Sequence, residues 1–175
     1  MKARTPASLD KIKLLVLDVD GVLTDGRLYF AARGEALKVF DVRDGHGIKL
    51  LMGSGVIIAA FSGRRSAAVA ARMRELKVAH VLQGCSDKVA ALQKLTTRLG
   101  ISPLESACIV DDTPDLPLMS AVGFAAAVAD AHPLVKSAAH WVSTATGGRG
   151  AVREFCDALL RARAPGTRRL RGAIR

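Results

Sequence analysis

Two aspartates separated by one residue follow directly after an apolar run near the start of the chain. The run Leu14–Leu17 leads into Asp18 and Asp20, and Gly21 comes next. An apolar run bounded by turn residues is typical of a buried strand in a parallel sheet, and such sheets bind ligands at the carboxyl ends of their strands. Because carboxylates are costly to bury without partners, the pair indicates a site for a divalent cation or for phosphate chemistry.

Polar side chains also follow three later strand-like runs, and the ends of parallel strands meet at one edge of an open sheet. They are Ser62 and Arg64 after residues 56–61, Lys88 after residues 80–82, and Asp111, Asp112 and Asp115 after residues 107–110. The predicted edge therefore combines carboxylates, a hydroxyl and an ammonium group. Oxygen ligands of this kind are those that Mg²⁺ prefers, so Mg²⁺ is the expected cofactor.

Strand-like and helical patterns alternate along the chain, which predicts an α/β fold with a doubly wound, mainly parallel, Rossmann-like sheet. The predicted strands are residues 14–17, 56–61, 80–82, 107–110, 124–128 and 140–142, and the predicted helices are residues 66–76, 87–99, 115–122 and 150–164. One segment departs from this rhythm: residues 27–30 and 36–40 flank a glycine-containing turn and predict a β-hairpin. Proteins usually cover the exposed edges of such a hairpin, and pairing with another subunit would do so.

Length and composition are those of one globular domain, with 175 residues of which 50% are hydrophobic. We assign residues 12–164 to this domain, residues 1–11 to an N-terminal segment, and residues 165–175 to an arginine-rich tail that we expect to be disordered. No apolar run approaches the roughly 20 residues of a membrane span, and the start of the chain carries no apolar signal core. We therefore expect a cytoplasmic protein that does not bind membranes.

The net charge of +10 lies almost entirely at the two ends of the chain. Residues 161–175 carry six arginines and no acidic residue, residues 1–13 carry four basic residues and one acidic residue, and the body between them is nearly neutral. A nucleic-acid-binding domain is expected to carry its basic residues on the folded surface. The distribution therefore predicts no nucleic-acid partner.

The motifs, in this order, resemble those of the haloacid dehalogenase superfamily of phosphotransferases. The resemblance rests on DVDGVLTDG at residues 18–26, SGR at residues 62–64, the single Lys88, and DDTPD at residues 111–115. Taken singly, a serine, a lysine or an aspartate pair is more often a helix cap or a surface charge, and only the joint occurrence favours a phosphatase. Val110 stands where the superfamily usually has glycine, which bears on the geometry of the loop that follows.

The resemblance implies a role for each of these residues. Asp18 would be the nucleophile, and Asp20 would protonate the leaving oxygen and then activate a water molecule. Ser62 and Lys88 would contact the phosphoryl group, and Lys88 would also offset the charge on Asp18. The metal would be held by the Asp18 carboxylate, the Asp20 backbone carbonyl and the Asp111 carboxylate, with Asp112 and Asp115 orienting its waters or Lys88.

Further motifs resemble one subgroup without a cap domain, the 3-deoxy-D-manno-octulosonate 8-phosphate (KDO 8-phosphate) phosphatases of lipopolysaccharide synthesis. They are FDVRDGHGI at residues 40–48, QG at 83–84, VADAHP at 128–133 and GGRGAVRE at 147–154. Residues 21–61 and 89–110 separate the main motifs, and neither stretch is long enough to hold a cap domain. The resemblance implies a homotetramer whose hairpins assemble, with each subunit helping to cover its neighbour's site.

The same resemblance implies which residues contact the sugar-acid phosphate, partly across the subunit interface. Besides Asp20 and Lys88, they are Asp41, Val42, Arg43, Asp44, Gly45, Lys49, Arg64 and Arg72. Arginine suits this substrate class because it binds carboxylates through two parallel hydrogen bonds. Three alternatives stay open: a phosphatase for a nine-carbon sugar-acid phosphate (KDN or sialic acid 9-phosphate), a non-catalytic scaffold, and a nucleic-acid binder that uses the tail.

Overall fold

The computed structural model describes residues 6–32 and 34–164, which contain eight strands. In chain order these are β1 (Leu14–Asp18), β2 (Tyr29–Ala31), β3 (Gly34–Leu37), β4 (Ile57–Ser62), β5 (His80–Gln83), β6 (Ser106–Val110), β7 (Phe124–Ala127) and β8 (Trp141–Val142). Six of them form one parallel sheet in the order β5-β4-β1-β6-β7-β8. Since β1 lies between β4 and β6, its last residue, Asp18, sits near the middle of the carboxyl edge.

Six α-helices connect or follow these strands and form two layers. They are α1 (Val42–Gly53), α2 (Ala67–Leu76), α3 (Lys88–Leu99), α4 (Leu116–Ala121), α5 (Pro133–Ala138) and α6 (Ala151–Arg163). Contacts join α1 to α2 and α6, and join α4 to α3 and α5. Because crossovers between parallel strands are right-handed and the chain reverses direction after β5, the two groups cover opposite faces of the sheet. The predicted doubly wound α/β fold is confirmed.

The apolar runs of the sequence become the core of the sheet. Every residue of β1, β6 and β7 is buried, as expected for strands covered by helices on both faces. The ring of Phe155 on α6 is fully buried and stacks against Trp141 of β8, with centroids 5.0 Å apart. The packed core therefore fixes the positions of the strands whose carboxyl ends form this edge.

The hairpin is shorter than the sequence predicted. Its strands are Tyr29–Ala31 and Gly34–Leu37, an antiparallel pair with an irregularity between Tyr29 and Phe30, so the predicted bounds 27–30 and 36–40 are wrong. Gly34 takes a positive φ of 108° and belongs to the second strand rather than to a wide turn. Lys38, expected in that strand, leaves it and is buried against the body of the protein.

The other differences concern α1, whose bounds were not predicted, and several short elements. The structure places α5 at Pro133–Ala138, where the sequence predicted no helix, and it adds 3₁₀ turns at Leu9–Lys11, Pro103–Glu105 and Thr113–Asp115. His132 caps α5, since its Nδ1 accepts a hydrogen bond from the Leu134 amide. A six-residue helix has too few turns to show a clear apolar period, and so the pattern missed it.

Three further expectations concern membrane-spanning helices, the ends of the chain and the bounds of the domain. Across the described part of the chain, no helix is both long enough and apolar enough to cross a membrane. The tail at 165–175 and the first five residues lie outside the described residues, and so the predicted disorder of the tail stays a prediction. The expected domain, 12–164, remains our prediction for the folded unit.

Candidate active site

The carboxyl edge of the sheet carries a pocket of about 380 Å³ where the predicted chemical groups meet. It is lined by Asp18, Asp20, Gly63, Arg64, Cys85, Ser86, Lys88, Asp111, Asp112, Pro114 and Asp115. Four separate strand ends contribute to it, as the parallel topology requires. The structure thus brings together most of the residues that the sequence predicted for catalysis and metal binding.

Lys88 lies between two carboxylates at the floor of this pocket. Its Nζ is 2.7 Å from Asp18 Oδ1 and donates a 2.8 Å hydrogen bond to Asp115 Oδ2. Asp87 caps α3 by accepting from the Ala90 amide, and this places Lys88 on the first turn. Burial alone would lower the pKa of Lys88, but the charges of Asp18 and Asp115 hold that pKa above its ordinary value. Lys88 therefore stays cationic beside Asp18.

Asp111 approaches Asp18 from the end of β6, and Gly21 makes room for it. A Cβ atom on Gly21 would lie 2.0 Å from Asp111 Oδ2, and Gly21 has a positive φ of 94°. Burial, and then the charge of Asp18, raise the pKa of Asp111 to about 8. The pair thus carries more negative charge than its surroundings neutralise.

A divalent cation fits this donor set. One ligand atom each from Asp18, Asp111 and Asp115 lie within 4.8 Å of one another. Burial, followed by the charge of Asp18, also raises the pKa of Asp115. Three crowded carboxylates face one lysine, and all offer oxygen, the ligand that Mg²⁺ prefers. Asp115 was predicted only to orient neighbouring groups, whereas the geometry adds it to the oxygen donors around this point.

Asp20 also lines the pocket, and two side chains hold its carboxyl group. The hydroxyl of Ser62 donates to Asp20 Oδ2 at 3.1 Å, and Lys38 forms a short ion pair with Asp20 Oδ1. The sequence did not single out Lys38. The available signal was a single charge inside the apolar run of residues 36–40, which the hairpin interpretation placed on an exposed strand.

The loop that carries Asp20 is fixed by a second loop from far along the chain. Thr24 Oγ1 accepts hydrogen bonds from the amides of Gly21 and Gly26, and the Gly148 amide donates to Val22 O at 2.8 Å. A Cβ atom on Gly147 would lie 1.7 Å from Gly21 O. Two loops can approach this closely only where side chains are absent. The GGRG motif at residues 147–150 therefore packs against the loop that carries Asp20 and fixes its conformation.

Asp112 and Val110 lie on either side of Asp111, and both fit an ordinary backbone conformation there. Asp112 lines the pocket and accepts a 2.7 Å hydrogen bond from the Thr113 amide, which begins the 3₁₀ turn that leads to Asp115. Val110 ends β6 fully buried. Lys77 is the sole non-glycine residue with a positive φ among residues 6–32 and 34–164. Valine is thus accommodated at Val110 because the backbone there is ordinary strand.

The residues predicted to contact the sugar are divided between two places. Arg64 lines the acidic pocket, and its Nη2 lies 3.6 Å from Glu35 Oε2. Asp41 instead caps α1, and the Arg43 guanidinium bonds both Asp41 and the Arg149 carbonyl oxygen, at 2.6 and 3.1 Å. Asp41 and Arg43 line a separate depression of about 410 Å³ together with Arg149. Within one chain they do not line the acidic pocket.

The remaining predicted contacts lie along α1 and α2. Asp44 is buried and accepts hydrogen bonds from the amides of Gly150 and Arg153, at 3.3 and 2.7 Å. Arg72 packs over Gly45, because a Cβ atom there would lie 2.3 Å from Arg72 Nη2. Val42 and Lys49 are exposed on α1. Direct substrate contact by these residues stays a prediction.

The chain is similar to characterised phosphatases over most of its length. Residues 75–155 match the family of haloacid dehalogenase-like hydrolases. The 3-deoxy-D-manno-octulosonate 8-phosphate phosphatase of Yersinia pestis is 48% identical over 149 residues, which are 85% of this chain and 80% of that protein.

Solved structures show the same similarity in three dimensions. The phosphatase of that name from Moraxella catarrhalis, in complex with a magnesium ion, a phosphate ion and KDO, matches with a TM-score of 0.86 and 41% identity, covering 89% of each chain. The cobalt-bound phosphatase of Haemophilus influenzae matches with a TM-score of 0.87 and 43% identity, covering 90% of this chain and 92% of that one. Sequence and fold agree that this chain belongs to the 3-deoxy-D-manno-octulosonate 8-phosphate phosphatase family, within the haloacid dehalogenase-like hydrolases.

Proposed function

We propose that this protein hydrolyses KDO 8-phosphate to KDO and phosphate in a magnesium-dependent reaction. The observation that carries the proposal is the pocket in which Lys88 lies 2.7 Å from Asp18 and Ser62 lies 3.1 Å from Asp20. The family membership supports KDO 8-phosphate as the substrate, because relatives named as KDO 8-phosphate phosphatases match this chain over most of its length. The ligand atoms of the acidic cluster of Asp18, Asp111 and Asp115 are all carboxylate oxygens, which supports Mg²⁺ as the metal.

The first step is attack by Asp18 on the phosphorus atom. One carboxylate oxygen of Asp18 forms a bond to phosphorus, and the bond from phosphorus to the sugar oxygen breaks. Asp20 gives its proton to that departing oxygen, so that the sugar leaves as a neutral alcohol. Lys88 stays cationic beside Asp18 and reduces the repulsion between carboxylate and phosphate.

The second step returns Asp18 to its starting state. Asp20, now ionised, takes a proton from water, and the resulting hydroxide attacks the aspartyl-phosphate at phosphorus. The bond between phosphorus and the Asp18 oxygen breaks, which releases inorganic phosphate. Ser62 donates a hydrogen bond in the pocket throughout, to Asp20 or to a phosphoryl oxygen.

The metal would be held by the carboxylates of Asp18 and Asp111 and by the backbone carbonyl of Asp20. When bound, it supplies positive charge that a carboxylate nucleophile and a phosphate dianion need in order to approach each other. Asp112 would orient the groups around it, and Asp115, which is paired with Lys88, would offer a further carboxylate oxygen beside Asp18 and Asp111.

We further propose that the active form is a homotetramer. The hairpin exposes large apolar side chains, with Phe30 63% and Leu37 47% exposed, and such side chains favour a protein partner. Because Asp41 and Arg43 do not line the acidic pocket of their own chain, a neighbouring subunit is the natural place for them to act. The cytoplasmic location expected from the sequence stays a prediction.

A phosphate-release assay with purified protein tests the substrate and the metal together. Rates are measured on KDO 8-phosphate and on KDN 9-phosphate, each with Mg²⁺ and with excess chelator. We expect turnover of KDO 8-phosphate that requires Mg²⁺ and a clearly lower kcat/KM for the nine-carbon ester. A preference for KDN 9-phosphate would replace the proposed substrate, and equal turnover in chelator would refute the metal requirement.

A further inference from the structure

Lys38 is a buried lysine that the reaction scheme does not use. Its side chain is 1% exposed, although it comes from the hairpin, whose strands are mostly exposed. Its Nζ forms ion pairs with Asp20 Oδ1 and with Glu35 Oε2, the latter at 3.2 Å. Burying an ammonium group is costly unless excellent partners compensate for the lost water, so the position calls for an explanation.

The contacts on Asp20 fix the direction of its carboxyl group. Lys38 donates to Oδ1 and the Ser62 hydroxyl donates to Oδ2. The Ser62 oxygen itself accepts from the Arg64 amide at 3.1 Å, which leaves its hydrogen directed toward Asp20. Since each carboxyl oxygen has its own donor on a different element, the side chain is held from two sides.

Glu35 anchors Lys38 on its far side. Ser66 at the start of α2 donates to Glu35 Oε1, and Arg64 approaches Oε2. The hydrogen bond from Ser66 is the main reason that the pKa of Glu35 lies below its ordinary value, although burial acts in the other direction. Glu35 is therefore ionised, and the chain of contacts runs from α2 through Glu35 and Lys38 to Asp20.

From this geometry we propose that Lys38 is a positioning residue for the general acid and base Asp20. The inference rests on the proposed function, because it assumes that Asp20 transfers the proton. In this role Lys38 acts through Asp20, because it fixes the direction of the carboxyl group that passes a proton to the leaving oxygen. A misplacement of about 1 Å can cost about 100-fold in rate, so a holding contact of this kind matters for turnover.

The dependence on the leaving group separates positioning from a merely structural role. The hydroxyl oxygen of the sugar is a poor leaving group and needs a proton, whereas 2,4-dinitrophenolate departs without one. We therefore compare first-turnover rates for KDO 8-phosphate and 2,4-dinitrophenyl phosphate. Enzyme is in excess, so that only the release of the sugar or of the phenol is observed. The variants are Lys38→Met, Asp20→Asn as the reference, and Lys94→Met, an exposed lysine on α3, as the matched control.

For Lys38→Met we expect the KDO 8-phosphate rate to fall about 10- to 100-fold and the dinitrophenyl phosphate rate to fall less than about threefold, the pattern of impaired proton donation. Asp20→Asn shows the same selectivity with a larger loss, and Lys94→Met changes neither rate. Lys38→Arg, which keeps the charge and a donor, recovers part of the loss. Glu35→Gln gives a smaller selective loss, because it loosens Lys38 without removing it.

Equal losses on both esters in Lys38→Met and in Glu35→Gln would overturn the proposal, since they would mean that the lysine only holds the hairpin in place. An unchanged alcohol rate in Lys38→Met would overturn it too. If instead the first-turnover rates of Asp20→Asn fall equally on both esters, the proposed role of Asp20 is refuted. That outcome is distinct from a failure of the role proposed for Lys38. Should Lys38→Met fold poorly by circular dichroism, Lys38→Arg and Glu35→Gln still decide the question.

Discussion

The acidic edge of the sheet and the segment from Asp41 to Lys49 differ in one respect. A single chain brings the groups of the edge together at one site, but it does not do so for the groups of the segment. At the edge, Asp18, Lys88 and Asp115 are joined by hydrogen bonds of 2.7 and 2.8 Å, and their side chains are at most 14% exposed. In the segment, the polar groups are either engaged in holding helices or exposed. Asp41 caps α1, and Asp44 binds the amides at the start of α6.

This difference separates the reaction from the choice of substrate. Groups that transfer phosphoryl must keep fixed distances, and the ends of parallel strands on one rigid core provide them. Most of the groups predicted to recognise the sugar lie on α1 and α2, where we propose that a second subunit completes their site. We expect changes at the edge to abolish chemistry and changes near α1 to alter substrate affinity, assembly or stability instead.

The largest effect is expected for the nucleophile. Asp18→Asn removes the oxygen that attacks phosphorus, so we expect phosphate release to fall by at least about 10⁴-fold on every ester, activated or not. Asp157→Asn, which changes a half-buried ion pair on α6 outside the acidic pocket, is the matched control and keeps full activity. Substantial turnover by Asp18→Asn would contradict the covalent mechanism.

A charge on the hairpin tests whether the second region acts between subunits. Phe30→Asp places a carboxylate on a side chain that is 63% exposed, and burying that charge at an interface is unfavourable. We expect dissociation in light scattering coupled to size exclusion, with kcat/KM for KDO 8-phosphate lower by about 10- to 100-fold, or about 1.4 to 2.8 kcal/mol.

Leu134→Asp is the control for that change, because Leu134 is 57% exposed on α5 and lies in neither region. It should leave both assembly and activity intact. The rate on dinitrophenyl phosphate should also survive in Phe30→Asp. A monomeric Phe30→Asp variant with full activity on KDO 8-phosphate would show that one chain completes both regions.

A smaller effect is expected for Arg72. Its side chain is 16% exposed, packs over Gly45 and pairs with Glu75 at 2.9 Å. If it binds the substrate carboxylate, Arg72→Met raises KM for KDO 8-phosphate by about 3- to 10-fold with kcat unchanged, the sign of a lost binding contact. Inhibition by inorganic phosphate, which has no carboxylate, should not change. A fall in kcat alone would argue against this role.

Asp44 is expected to affect stability rather than turnover. Burial raises its pKa to about 6 from an ordinary value of 3.8, so between these values the folded protein binds more protons than the unfolded chain. Stability therefore falls as pH rises through this window, by about 1 to 3 kcal/mol for a shift of this size. Asp44→Asn should flatten the fall from pH 4 to pH 7 in urea unfolding.

The control for that measurement is Asp157→Asn, whose aspartate is more exposed and pairs with Arg153. It should keep the slope of the original protein. If Asp44→Asn raised KM while leaving the pH dependence of stability unchanged, Asp44 would belong to substrate recognition after all.

The sequence predicted the acidic edge well because two rules act together there. Apolar runs reveal buried strands, and parallel topology brings their carboxyl ends to one place, so that Asp18, Ser62 and Asp111 follow from position alone. Lys38 does not follow from either rule. A lysine in a hairpin is expected in water, and only the three-dimensional path of the chain shows that it turns inward toward Asp20.

Contacts between distant segments were equally hidden. Sequence patterns predicted no bounds for the helix around Asp44, and nothing in them shows that this carboxylate accepts hydrogen bonds from the amides of Gly150 and Arg153. Likewise, the resemblance marked Asp115 only as an orienting group, and its closeness to Asp18 and Asp111 depends on the 3₁₀ turn. The local pattern of apolar residues indicates which face of a helix or strand is buried, but it does not indicate which distant residue contacts that face.

The close packing of Gly147 against Gly21 bears on when the enzyme becomes active during its own synthesis. The loop that holds Asp20 reaches its final form only when a segment more than 120 positions later has docked on it. Contacts of such long sequence separation form late, because a large loop must close first. A ribosome-bound chain that lacks residues 147–148 would therefore have its nucleophile but an unfinished catalytic loop. Phosphatase activity thus reports that the chain has been made and folded at least as far as Gly148.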